Sequence, residues 1–286
     1  MRGHSHAAVA VRRPNGTITT KVDPVGLWAK TRVRRVPFAR GILILAESLT
    51  LGMGAIQWSA NVALEQEGEA LSRWQMTLVV MSAVVVAALV FFATPALLAG
   101  WLEDALPLFL VHLVEGAIRI TFLLAYLWFI GRIPDVRRLF AYHGAEHKTI
   151  HAFEAGVPLD VQHIQQFSPA HPRCGTSFLL MVMVVSIFVF ALLGQPPLEW
   201  KVLSRILLLP VVAAVSYEAL RFGAGHLGTR WVALTVAPGL TLQRLTTREP
   251  EDDQVEVALT AFTTLLEHEP TGAEVLSERP QPEINA

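Results

Sequence analysis

The sequence predicts an all-α polytopic membrane protein. It has about four transmembrane helices, an interfacial amphipathic helix, and a small cytoplasmic α+β portion drawn from both termini. Three observations carry this. The 286 residues are 52% apolar and only 16% charged, against about 25% charged for a soluble domain. Several apolar runs approach the roughly 20 residues that a bilayer span needs. Charge is sorted along the chain: residues 1–40 hold nine Lys/Arg and one acid, whereas residues 249–286 hold ten Asp/Glu and one Arg.

The elements follow in order. Residues 1–40 form a basic cytoplasmic segment. Within it, "AAVAVRRPNGTITTKV" alternates around Pro14-Asn15-Gly16, a hairpin signal because Asn-Gly tolerates the positive φ of a tight turn. Residues 41–64 place Glu47, Thr50, Gly54, Gln57 and Asn61 at helical intervals on an otherwise apolar segment. Such a narrow polar stripe suits an amphipathic or re-entrant helix, or a crossing whose stripe faces a bundle.

Residues 74–131 form a first transmembrane pair. The run 74–99 has no charged residue; 105–130 is interrupted by His112, Glu115 and Arg119. Residues 132–175 form a His-rich cytoplasmic loop and helix. Residues 176–222 supply the second pair: 176–194 is uncharged, and 202–222 contains Arg205, Glu218 and Arg221. Core helices of a large soluble protein rarely sustain such runs.

The positive-inside rule places both basic segments, the N-terminus and the middle loop with Arg132, Arg137, Arg138, Lys148 and Arg173, on the cytoplasmic side. An even number of spans must then separate them, so 41–64 reads as interfacial. The expected setting is the inner (plasma) membrane, multi-pass, with both termini cytoplasmic.

Residues 223–269 read as a cytoplasmic strand at 230–238 followed by a helix at 252–267. That helix carries Val255, Leu259, Phe262 and Leu266 on one face, with Asp252 and Asp253 at its N-terminal end. Residues 270–286 read as a disordered acidic tail. The lipid bilayer is the expected partner, with a membrane-protein partner as a second. The basic segment suits an anionic leaflet. It lacks the aromatic-interleaved surface of a nucleic-acid binder, so no nucleic acid is expected.

Five of the ten histidines fall between residues 143 and 171. In a helix over 142–154, His147, His151 and Glu154 lie about 40°, 80° and 20° around from His143, on one stripe. Imidazoles at i and i+4 can chelate one divalent ion. His143-Gly-Ala-Glu-His147 also satisfies H-x-x-E-H, two ligands plus a glutamate base, which makes Glu146 the candidate catalytic residue. Downstream, His171 and Cys174 in "HPRCGT" offer a nitrogen and a sulfur. The candidate metal set is His143, His147, His151, Glu154, His171 and Cys174. Its mixed donors suit zinc best, with iron and manganese as alternatives. A structural role for the stripe is the competing reading. The single cysteine excludes an internal disulfide. Within the first pair, Glu115 and Arg119 are one turn apart and form a candidate intramembrane ion pair, within reach of His112. Glu47 is placed to meet an arginine.

Six stretches together resemble the YqhQ-like bacterial membrane proteins, a family of unknown function labelled as predicted metal-dependent enzymes. They are "RGILILAESLTLG", "VEGAIRITFLLAY", "YHGAEHKTIHAFE", "HPRCGTSF", "LPVVAAVSYEALRF" and "APGLTLQRLTTREPEDDQVEVA". The resemblance covers nearly the whole chain. It implies a multi-span inner-membrane protein whose metal residues map to His143, Glu146, His147, His171 and Cys174. Two functions are expected. One is a metal-dependent hydrolase of the membrane interface with an H-x-x-E-H centre. The alternative is a non-enzymatic accessory or scaffold protein that assists membrane-protein assembly, with a structural metal or none.

Overall fold

The computed structural model describes residues 1–26, 36–64, 72–171, 174–194, 196–224 and 230–269. The chain opens with an antiparallel hairpin, β1 (His6–Arg12) and β2 (Ile18–Pro24), in register from His6 opposite Pro24 to Arg12 opposite Ile18. Gly16 turns it with φ of 86°. Asn15 Oδ1 accepts from the Thr17 amide, the local bond that favours Asn in turns.

α1 (Ala39–Leu64), Trp74–Gly100 and α4 (Leu108–Ile130) are each long and apolar enough to cross a bilayer. The second is continuous through α2 (Arg73–Ala88), a π-helical turn (Leu89–Ala93) and α3 (Thr94–Gly100). α7 (Thr176–Ala191) is apolar but shorter. At 1.5 Å per residue its 16 residues reach about 24 Å, against about 30 Å of hydrocarbon. α8 (Leu198–Leu207) and α9 (Leu209–Ala224) meet at a 45° bend, so the region expected as the fourth span is a broken helix. Three to four apolar helices could therefore cross a membrane.

One expectation is corrected. Residues 230–238 are not a strand but the start of α10 (Arg230–Thr246), which runs through Pro238. A nine-residue apolar run does not distinguish a strand from a packed helix. Here the helix is favoured by its seat on α7: a Cβ on Gly239 would lie 2.5 Å from Ser177 Oγ, so only glycine permits this approach. The hairpin gains no third strand; among the described residues the sheet has two. The expected acidic tail, 270–286, lies outside the described residues.

Two cores form. Phe92, Leu123, Leu127, Met183, Phe190, Val212 and Leu242 bury one another among the apolar helices. The second is built from small residues: Ala145 and Ala152 of α5 (Pro134–Glu154), Ile164 of α6 (Val161–Gln165), and Val255 and Ala258 of α11 (Asp252–His268). The hairpin joins this polar body. Arg12 donates to the Asp253 carbonyl at 2.8 Å and pairs with Glu256 at 2.7 Å. Glu269 accepts the amides of Ser5 and His6, both at 2.9 Å. Hairpin, α11 and α5 thus pack as one unit. Arg2 ties it to α1 through Glu47, and Arg40 ties α1 to α9 through Glu218.

Candidate metal centre

α5 begins at Pro134, where proline's fixed φ suits a first helical turn. Its last three turns carry the histidine stripe into the seam between the polar body and the apolar bundle. Close approach there depends on Gly144, where a Cβ would lie 2.1 Å from the Arg248 carbonyl oxygen. With no side chain in the way, the segment following α10 lies against α5. The Arg248 amide donates to the Phe140 carbonyl at 3.0 Å.

That contact orients the first histidine. His143 donates from Nδ1 to the Thr246 carbonyl at 2.8 Å. One turn on, His147 donates from Nδ1 to the Pro169 carbonyl at 2.6 Å. A carbonyl oxygen only accepts, so both Nδ1 atoms hold a proton, and in the neutral ring the lone pair is at Nε2. His143 Nε2 lies 3.3 Å from Cys174 Sγ. His143, His147 and Cys174 each offer a donor atom within 4.8 Å of the other two. The two imidazoles pack edge-on at 4.3 Å between centroids. His147 and Cys174 are each 5% exposed, so water does not compete freely for the donors.

The remaining predicted ligands form a neighbouring group. His151 is turned the other way: its Nε2 donates to the Ala170 carbonyl at 2.8 Å, and its ring stacks on Phe167. His171 lies between His147 and His151, with centroids 5.7 and 4.6 Å away. Its Nε2 is 3.4 Å from Glu154 Oε2. Three of the six predicted ligands therefore converge, and His151, Glu154 and His171 stand behind them. Glu146 is half-buried beside His143, close enough for its charge to act on that ring.

Electrostatics separate the two groups. Burial pushes the Cys174 thiol up, but hydrogen bonds with His143, His147 and Thr176 outweigh it and hold the thiol down at about 5. The sulfur is thus a thiolate at neutral pH, the form that binds metals. Burial pushes His143 down; the Cys174 sulfur, the Thr246 carbonyl and Glu146 overcome this and raise it above the ordinary imidazole value. His171 is lowered, by burial first and by the neighbouring His151, against the pull of Glu154.

Sequence reasoning missed the residues that hold this geometry. Gln243 is fully buried and clasps His171 with both ends of its amide: Nε2 donates to the His171 carbonyl, and Oε1 accepts its amide, both at 2.8 Å. Thr176 lies 3.1 Å from the sulfur. Lys148, buried behind the stripe, donates to the Gln165 carbonyl at 2.9 Å and pairs with Glu249 at 2.6 Å. Thr176 follows Cys174 within "HPRCGT" and was open to notice. Gln243 carries no local signal, because its partner is 72 residues away.

One donor spacing can be compared with that of a divalent ion of the zinc type. Zn–N near 2.0–2.1 Å and Zn–S near 2.3 Å place tetrahedral ligands about 3.5 Å apart, close to the His143–Cys174 spacing. Ring N–H groups tied to backbone carbonyls are the usual support of metal-binding histidines.

The family described as "Protein of unknown function (DUF1385)" matches residues 36–268. The "Uncharacterized protein YqhQ" of Bacillus subtilis (strain 168) is 35% identical over 297 aligned residues, covering 98% of this chain and 91% of that protein. No solved structure matches.

Proposed function

Because the chain belongs to the DUF1385 family, whose description assigns no activity, we propose a function from the site itself: a metal-dependent hydrolase at the membrane interface. The observation that carries this is the convergence of one donor atom each from His143, His147 and Cys174, with Nδ1 of both histidines held on a backbone carbonyl. His143, His147 and Cys174 would hold the ion, zinc by their donor chemistry. Bound there, it would supply Lewis acidity, bringing the ionisation of a water toward neutral pH.

The chain's own groups do the rest. Three protein ligands would be the number that catalytic zinc sites use, where structural sites use four. Glu146, whose charge acts on His143, would be the base that takes the proton of the attacking water. His171, lowered and nearly buried, presents a neutral imidazole between the ligands and Glu154, suited to pass a proton toward the leaving group. The substrate is a hydrolysable bond carried at the membrane surface, in a peptide, a lipid ester or a phosphoester.

Four crossings with both termini on the cytoplasmic side of the plasma membrane complete the reading. Hairpin, α5 and α11 pack on one another, so all three must share one side. Three candidate helices, α1, Trp74–Gly100 and α4, lie between the hairpin and α5. An even number of them crosses, and α1 is the one with the polar stripe.

A second reading, an assembly scaffold with a structural metal, is favoured by the site's position where α5, residues 169–171 and α10 join. Metal analysis of protein purified without chelator, with two variants, separates the readings. Catalysis expects about one ion per chain in wild type and in Glu146→Gln, with cellular function lost in the latter. A scaffold expects Glu146→Gln to be tolerated and His147→Ala to lose both metal and fold. Wild type free of metal ends both metal readings.

A further inference from the structure

The apolar bundle buries more positive than negative charge. Glu115 and Arg119 of α4 are 4% and 0% exposed and pair at 2.6 Å. The expected pair is joined by a third member. Arg205 of α8 reaches the same carboxylate with Nε at 3.1 Å and Nη2 at 3.0 Å. Two guanidinium groups, which stay charged, share one carboxylate, so the cluster carries one excess positive charge.

The two arginines are not equally satisfied. Each nitrogen of Arg119 has a partner: Nε donates to the Phe91 carbonyl in the π-helical turn, Nη1 to Ser186, and Nη2 to Glu115. Arg205 Nη1 is buried with no hydrogen-bond acceptor among the described residues. His112, one turn before Glu115, is also buried, and neither ring nitrogen has a hydrogen-bond partner there. His112 Nδ1 (3.6 Å) and Arg205 Nη2 (3.0 Å) flank the same oxygen, Glu115 Oε2. Both residues therefore border Glu115, and each buries a polar atom without a hydrogen-bond partner among the described residues.

The setting is that of a solute site. Arg119 lies about 16 Å along α4 at 1.5 Å per residue, near the helix midpoint. Toward the start of α4, Lys201, one turn before Arg205, is buried and paired with Glu103. The helix bend after Leu207 and the π-helical turn flank this polar column, and α8 packs on that turn. Interrupted helices beside buried charge mark ligand sites in membrane proteins.

We propose that Arg205 and His112 form a binding site for an anionic oxygen group, a phosphate or carboxylate, which completes the charge balance of the Glu115–Arg119–Arg205 cluster. Guanidinium presents parallel N–H donors suited to such groups, and an imidazole N–H adds another. The group arrives either on a lipid headgroup or as a free anion. The site shares no residue with the metal centre and stands whether or not that centre is catalytic.

The test uses the full chain in phosphatidylcholine nanodiscs. Thermal midpoints are measured with inorganic phosphate, with acetate, and with sodium chloride at matched ionic strength, then in discs containing phosphatidylglycerol. A rise with phosphate or acetate beyond chloride identifies a free anion. A rise with phosphatidylglycerol alone, with that lipid retained in native mass spectrometry, identifies a headgroup. Arg205→Gln keeps the neutral Glu115–Arg119 pair and loses the rise. Glu115→Gln adds a positive charge and lowers the half-saturating concentration by about tenfold, the effect of one unpaired interaction near a cation. That variant decides the matter if Arg205→Gln does not fold. A wild-type midpoint indifferent to all three ligands, a rise that persists in Arg205→Gln, or no tightening in Glu115→Gln overturns the site.

Discussion

Cys174 and His143 form the most polarised contact at the candidate centre, and metal-stripped protein should reveal it by pH. The thiol is held at about 5, so its stabilising contribution is full above the ordinary thiol value, about 8.5, and is lost as pH falls through about 5. His143 is raised, so its contribution is full below the ordinary imidazole value, about 6.5, and is lost as pH rises through its folded value. The two work in opposite senses above about 6.5, so the loss on the acid side, below about 6.5 and down through about 5, is the signature of the thiol. Melting curves should show it in wild type and not in Cys174→Ser. Iodoacetamide alkylation should turn on near pH 5, and added zinc should suppress it. An inflection near 8.5 would show that the sulfur and the imidazole do not meet. The H-x-x-E-H spacing made His143 and His147 readable in advance, because one helical turn aligns i and i+4 whatever surrounds them. The reversal of His151 was not readable. It depends on the Ala170 carbonyl, contributed by a loop whose path no local pattern encodes.

The stripe becomes a site only because α5, α10, residues 169–171 and Cys174 meet, and Gly144 controls that meeting. Gly144→Ala forces a methyl group against a backbone oxygen, which no rotamer change relieves. The expected cost is about 1–3 kcal/mol of stability. Zinc affinity should fall with it, since His143 loses its hold on the Thr246 carbonyl. Ala145→Gly, one residue along, adds no such clash and serves as the comparison. Denaturant melts and competitive zinc titration of both variants check this, and equal zinc affinity in the two would detach the glycine from the site. Elements whose pattern is long or amphipathic were legible: the hairpin around Asn15-Gly16, α5 and α11. α10 was not, because its first nine residues fit two periods equally well. What decides between them is the glycine-to-serine contact with α7, a tertiary fact.

At the scale of the whole molecule, packing restricts how the chain can thread a bilayer. Arg12 on Asp253 and Glu256, Glu269 on the amides of Ser5 and His6, and the small-residue core between α5 and α11 tie three distant stretches into one body. No bilayer can run between them. Three candidate spans lie between the hairpin and α5 among the described residues, and the proposed topology has two of them cross. Trp74–Gly100 has no ionisable side chain from residue 74 to residue 100, and α4 buries its charges inward on Arg205 and Ser186. α1 instead leaves Thr50 exposed and spends Glu47 on Arg2 and the Gly26 amide. The even number of crossings proposed from the basic residues agrees with this packing. Reporter fusions after residues 104, 160 and 200 read it directly: 104 and 200 should report the outside and 160 the cytoplasm, with a fusion at the N-terminus agreeing with 160. An N-terminal reporter opposite to the one at 160 would mean that α1 crosses. The hairpin could then not rest on α11, and Arg12 and Glu269 would lose the partners seen here.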